Sequence, residues 1–228
     1  MAELRAIAPE LWVAEAPLRY LGIEMGRRMA VVRLSGGGLL AHSPAPLTAA
    51  LRSELEALGD VVAVVPASNL HGHLHMEDFQ AAWPQAAVFA APGLERKRRD
   101  VRFAGTLGDV PDPRWAADLD QAVFHGHRLL DETLFLHRST RTLIAGDTFF
   151  NIGPGWPWRT RLMAWGPRLR PRAGPTALFR LALRDRAAAA KSIQRLLEWD
   201  FDRVLPGHGE IVETDGHEAF RRAWAWVL

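Results

Sequence analysis

The sequence predicts an α/β protein in which β-rich stretches give way to helices twice over, across about residues 1–110 and 111–228. Hydrophobic periodicity is the basis. Short apolar runs with β-branched content, such as Val61 to Val65, read as buried strands, and segments with apolar residues at helical spacing follow them in each half. No polar linker separates the halves and no internal repeat is detectable, so a single domain over 1–228 is expected.

Leu11-Trp12-Val13-Ala14 and Met29 to Leu34 are strand-like, and Ser35-Gly36-Gly37-Gly38 is a turn into Leu39-Leu40-Ala41. Pro44 and Pro46 end that pairing. Thr48 is an N-cap for a helix through Leu58, whose apolar face is Leu47, Leu51, Leu55 and Leu58. Gly59-Asp60 closes this helix before the Val61 to Val65 strand. Glu77 to Trp83 reads as a short helix stopped by Pro84, Ala87 to Ala90 as a strand, and Pro92-Gly93 as a turn. The charged run from Glu95 to Asp100 reads as a solvated helical face, because acidic residues bracket it and no aromatic interrupts it.

In the second half, Val123-Phe124 is apolar, and Thr133 to His137 with Thr142 to Ala145 form a hairpin. Asn151 to Pro175 reads as a long loop carrying Trp156, Trp158 and Trp165, either a lid over a substrate or a segment packed on the body. Helices follow over Ala187 to Trp199, with Ile193, Leu196 and Leu197 on one face, and over His217 to Val227, with Phe220, Ala223, Trp224 and Val227.

Composition narrows the function classes. The chain has no cysteine, which excludes disulfides, thiolate metal ligands and cysteine nucleophiles, so any metal must be held by nitrogen and oxygen. The sequence pI is about 9.6, yet the net charge is only +2, so the high pI reflects arginine-rich composition and not a basic surface. No nucleic-acid partner is expected. No stretch approaches the ~20 apolar residues of a membrane span, and the N-terminus lacks signal-peptide character. A cytoplasmic protein acting on a small molecule is therefore expected.

The chemistry lies just past the strand ends. Val61 to Val65 leads to His71, His73 and His75; Val123-Phe124 leads to His125 and His127; Leu143 to Ala145 leads to Asp147; and Val204-Leu205 leads to His208. Four such segments carrying only imidazole and carboxylate point to one metal pocket assembled from along the chain. In an extended His71-Gly72-His73, the two imidazoles would face the same ion.

These residues resemble the metallo-β-lactamase-fold hydrolase superfamily, whose signature is H-x-H-x-D-H, a later His, a G-D after a strand and a late G-H. Here they read His71-Gly72-His73-Leu74-His75-Met76, Gly126-His127, Gly146-Asp147 and Pro206-Gly207-His208-Gly209, in order across residues 61 to 210. LWVAEAPL, RMAVVRL and GGLLAHSP also resemble a branch whose first metal motif is altered. The resemblance implies a four-layer αββα sandwich and a metal-dependent hydrolase of esters, lactones, thioesters or phosphoesters. It also implies one metal site of His71, His73 and His127 with a shared Asp147, and a second that keeps Asp147 and His208. His75 and Met76 stand where the family has an aspartate and a histidine, so one firmly held zinc and a weak or altered second site are expected, with iron or manganese as alternatives. His127 is preferred over His125 as third ligand because Gly126-His127 reproduces the family's Gly-His, with Asp131 four residues on. Asp147 would hold the attacking water, and His75, Glu77 or Asp78 would help move a proton. A non-catalytic binding protein and a di-iron redox protein are the competing readings.

Overall fold

The computed structural model describes residues 3–166 and 173–228. Its strands form two main sheets. In the first half they are β1 (Leu4–Ala8), β2 (Leu11–Ala16), β3 (Arg19–Tyr20), β4 (Ile23–Glu24), β5 (Arg27–Arg33), β6 (Leu39–His42), β7 (Val61–Val65), β8 (Ala87–Ala90) and β9 (Gly105–Thr106). In the second half they are β10 (Leu119–Phe124), β11 (Glu132–His137), β12 (Thr142–Ile144), β13 (Phe150–Asn151), β14 (Arg203–Leu205) and β15 (His208–Gly209). The helices are α1 (Ala49–Leu58), α2 (Met76–Ala82), α3 (Trp158–Trp165), α4 (Ala177–Ala182), α5 (Arg186–Leu196) and α6 (Gly216–Trp224).

The first sheet runs β1-β2-β5-β6-β7-β8-β9 and the second β10-β11-β12-β14. The first is antiparallel as far as β6 and parallel from β6 to β9; β14 joins the second sheet parallel to β12. Because side chains alternate along a strand, each sheet offers two apolar faces. Val13, Val32, Leu40 and Val65 of the first sheet meet Phe135, Ile144 and Leu205 of the second in a central core. The opposite face of the first sheet, with Val31, Ala41 and Val64, is covered by Leu51 and Leu55 of α1 and by Met76 and Phe79 of α2. The outer face of the second sheet, with Phe124, Leu134 and Val204, is covered by Ile193 and Leu196 of α5 and Phe220 and Trp224 of α6. The layers are therefore α, β, β and α. Among the described residues no helix is long and apolar enough to cross a membrane.

Several elements match the expectation from periodicity. Thr48 caps α1 by accepting from the Leu51 N–H, and β11 pairs antiparallel with β12 as a hairpin. Others do not. The segment read as a loop over 151–175 contains α3, and α4 begins just beyond it; residues 167–172 of that loop lie outside the described residues. Its tryptophans divide: Trp165 is buried against Met25, Phe150 and Ile152, Trp156 packs on the Gly26 backbone, and Trp158 is exposed. The charged run is not a free helical face either. Leu94–Arg96 is a single 3-10 turn, and Arg98 folds inward onto His73 and Glu77.

Candidate metal centre

Three loops meet where the strands of the two sheets end, and each is fastened by a different device. The loop after β7 runs through Ser68 and His71 and is pinned to the second sheet by the Ser68–Glu132 bridge. Gly72 lets it double back: a Cβ there would lie 2.8 Å from both the Cβ and the N of Ala67, closer than carbon atoms pack. Mutual hydrogen bonds between Asn69 and Asp131 close the same loop, at 2.9 Å from Asn69 Nδ2 and 3.2 Å from the Asp131 N–H.

The loop after β12 presents Asp147. It is held from beneath by Glu132, a fully buried carboxyl that accepts from the Gly146 N–H at 2.8 Å, the Thr148 N–H at 2.9 Å and the Thr148 hydroxyl at 2.6 Å. Burial, then the charge of Asp147, pushes Glu132 up to about 8, against the pull of these donors. Sequence reasoning missed Glu132. A glutamate opening an apolar strand is its only signal, and glutamate is a residue type seldom found fully buried.

The loop after β14 carries His208 and is clamped by Arg28, whose guanidinium donates to the carbonyls of Pro206 at 2.6 Å and Gly209 at 2.7 Å and pairs with Glu15. Its neighbour Arg27 is also buried, donates to the His71 carbonyl at 3.3 Å, and is lowered to about 10 by desolvation.

The result is a compact donor set. His71 Nε2 lies 3.2 Å and His208 Nε2 lies 3.3 Å from the same Asp147 Oδ1. One donor atom from each residue falls within 4.8 Å of the other two. Ser68 donates to Asp147 Oδ2 at 2.9 Å, leaving Oδ1 to the imidazoles. His208 Nδ1 is 2.7 Å from the Gly26 carbonyl, which assigns the proton to Nδ1 and leaves the Nε2 lone pair aimed at a carboxylate oxygen. Two lone-pair atoms do not rest against each other in a buried site without a cation between them. A proton or a divalent metal satisfies the arrangement. With protons alone, burial opposes the charge on His71 but Asp147 outweighs it and raises the imidazole; burial likewise opposes ionisation of Asp147, and His71 and His208 together hold it well below the usual carboxylate range. Two histidines and one carboxylate are also the protein ligand set of many catalytic zinc and iron sites, with positions left open for water and substrate. The residues present fit a metal.

The other expected ligands stand elsewhere. Residues 71–75 form a turn and not an extended strand, so the alternation that would aim His71 and His73 at one ion does not operate. His73 faces Arg98, with its Nδ1 3.1 Å from Nη1 and its carbonyl 2.6 Å from the same nitrogen. His75 sits at the start of α2 with Nδ1 3.2 Å from Asp78 Oδ2. His127 lies beside the donor set but is turned over. Its Nδ1 accepts from the N–H groups of Leu129 at 3.2 Å and Leu130 at 3.0 Å, and its ring rests on Phe179 at 4.3 Å. In that tautomer Nε2 carries the proton and offers no lone pair to a metal. His125 is exposed. Of the six expected ligands, the structure brings the donor atoms of His71, Asp147 and His208 together and leaves His73, His75 and His127 outside that group.

Above the donor set lies a cleft of about 190 Å³. His71, His127 and Asp147 are at its base, and its walls include Tyr20, Leu21, Leu129, Leu178 and Phe179. Phe150 stacks on His208 with ring centres 4.7 Å apart.

The profile of a family described as a domain of unknown function, DUF4336, matches residues 9–170. The chain belongs to the DUF4336 family. No curated protein matches it. Among solved structures, this DUF4336 chain is similar to a metallo-β-lactamase from Pontibacter korlensis, at 14% identity and a TM-score of 0.70, covering 99% of both chains. It is also similar to the metallo-β-lactamase FIM-1 from Pseudomonas aeruginosa in a mono-zinc form, at 12% identity and a TM-score of 0.66, covering 99% of this chain and 95% of that one. A third likeness is to the Flv1 flavodiiron core from Synechocystis sp. PCC6803, at 12% identity and a TM-score of 0.66, covering 99% of this chain and 60% of that one. The fold is that of the metallo-β-lactamases.

Proposed function

We propose that this protein is a hydrolase that uses one divalent metal, with zinc the first candidate, held by His71, Asp147 and His208. The observation that carries the reading is the meeting of three donor atoms within 4.8 Å at the base of a cleft. The fold it shares with a mono-zinc metallo-β-lactamase supports it. A bound metal would supply Lewis acidity, making a water nucleophilic near neutral pH and polarising a substrate carbonyl. The chain's own residues supply the rest. Asp147 would help hold the metal and orient the attacking water by accepting its hydrogen bond, while Ser68 fixes Oδ2. Net, a water and an ester, lactone or thioester give a carboxylic acid and an alcohol or thiol. His73 and His75 take no part, since both stand outside the three-residue donor set.

The test is turnover of a chromogenic ester by protein dialysed against chelator and then reloaded with zinc. Activity that returns with zinc and is lost in Asp147→Asn, but not in His73→Ala, supports the reading. Absence of turnover across esters, thioesters and phosphoesters, with zinc bound, refutes it. That outcome favours a metal-binding protein without turnover, a reading supported by a donor set reduced from the family's two-metal pattern to three residues.

A further inference from the structure

We infer that the cleft takes an ester, thioester or lactone with an apolar acyl chain, the chain lying along the walls and the carbonyl at the base. The inference rests on the hydrolase reading and deepens it. Its first ground is the wall chemistry. Of the described residues that line the cleft, Asp147 alone carries a fixed charge; the walls are built from leucine, isoleucine, methionine and aromatic side chains. Along these walls, away from the base that would hold the metal, an anionic group would find no described guanidinium or ammonium to pair with, so the walls favour an apolar chain.

Its second ground is the rim. Leu21 is 84% exposed, Leu178 62% and Leu129 58%, and all three line the same opening. Leucines scattered singly over a surface need no explanation, whereas three gathered on one opening mark a surface that is covered in use. Continuity with His71 and Asp147 at the base identifies the cover as the substrate itself and not a protein partner. A chain entering past the three leucines would be stripped of water along its length before its carbonyl reached the donor set.

The arrangement predicts a dependence on chain length. Each methylene transferred from water to the walls raises kcat/KM about fourfold, until the chain outgrows the cleft. The test pairs a kinetic and a binding measurement on the zinc-loaded protein: kcat/KM for p-nitrophenyl esters from acetate to decanoate, and calorimetric binding of decanamide, an uncharged ligand. The expected result is a rise of about fifteenfold from acetate to butyrate, and decanamide binding. In Leu178→Asp, an exposed position that tolerates the charge, the rise flattens and decanamide binding is lost; Val110→Asp, more exposed still and outside the cleft lining, behaves as wild type. Ester turnover that is flat with chain length overturns the inference and leaves the hydrolase reading intact. Decanamide binding lost in Leu178→Asp, with no ester turned over, upholds the apolar site and refutes the hydrolase. Self-association that Leu178→Asp abolishes, with no decanamide binding, overturns the inference in favour of a second copy as the cover.

Discussion

Replacing Glu132 by glutamine separates two effects that the fold sets against each other. The carboxyl accepts three hydrogen bonds from the Gly146–Thr148 loop, and glutamine can keep the two made to Oε1. The third, from the Thr148 N–H to Oε2, meets an NH2 group instead and is lost. One buried N–H left without an acceptor costs about 1–3 kcal/mol. Against this stands the cost of burying an acid. Its value of about 8 lies above the ordinary 4.5, so the folded state binds the proton more tightly than the unfolded chain. Wild-type stability from this group is therefore full below pH 4.5 and falls as the pH rises toward 8, at about 1.4 kcal/mol per unit. Between pH 5 and 7.5 that amounts to roughly 3 kcal/mol. Glutamine does not titrate. In urea unfolding of the metal-free protein, Glu132→Gln should be less stable than wild type at pH 5 and should equal or exceed it by pH 7.5. A stability difference that does not change with pH refutes the reasoning about burial. No loss at pH 5 refutes the role given to the Thr148 contact.

Arg28→Met removes a buried guanidinium and orphans the Pro206 and Gly209 carbonyls; a loss of about 3–5 kcal/mol, read as a fall in Tm of about 10 °C, is expected, and an unchanged Tm contradicts the clamp. His42 is buried against Phe135 and desolvation lowers it to about 3, so it stays neutral when folded. Its contribution is complete above pH 6.5 and is lost as the pH falls, by about 2 kcal/mol at pH 5. His42→Leu should flatten this acid limb in urea titrations, and an unaltered slope would discount the role assigned to His42.

Much of the architecture was legible because periodicity reports burial directly. The apolar face of α1 and the hairpin of β11 and β12 follow from spacing and capping alone. What was hidden has physical reasons. α3 carries tryptophans and arginines with no clean apolar stripe, so it reads as irregular although Trp165 anchors it. At the site, Asp147 and His208 were legible because each directly follows a buried strand, and His71 because the loop after β7 is rich in imidazole. The partition among the histidines was not. Whether His73 faces the ion depends on residues 71–75 curling into a turn and on Arg98 reaching back 25 positions. The flip of His127 depends on where two backbone N–H groups point. Glu132 and Arg28, which hold the ligand loops, act through main-chain atoms that sequence patterns do not record.

The most direct measurement is calorimetric zinc binding to chelator-treated protein and to five alanine variants. The account predicts one zinc per chain, with affinity reduced at least about 100-fold in each of His71→Ala, Asp147→Ala and His208→Ala, and unchanged in His73→Ala and His75→Ala. Binding abolished in His73→Ala but intact in His208→Ala would contradict it.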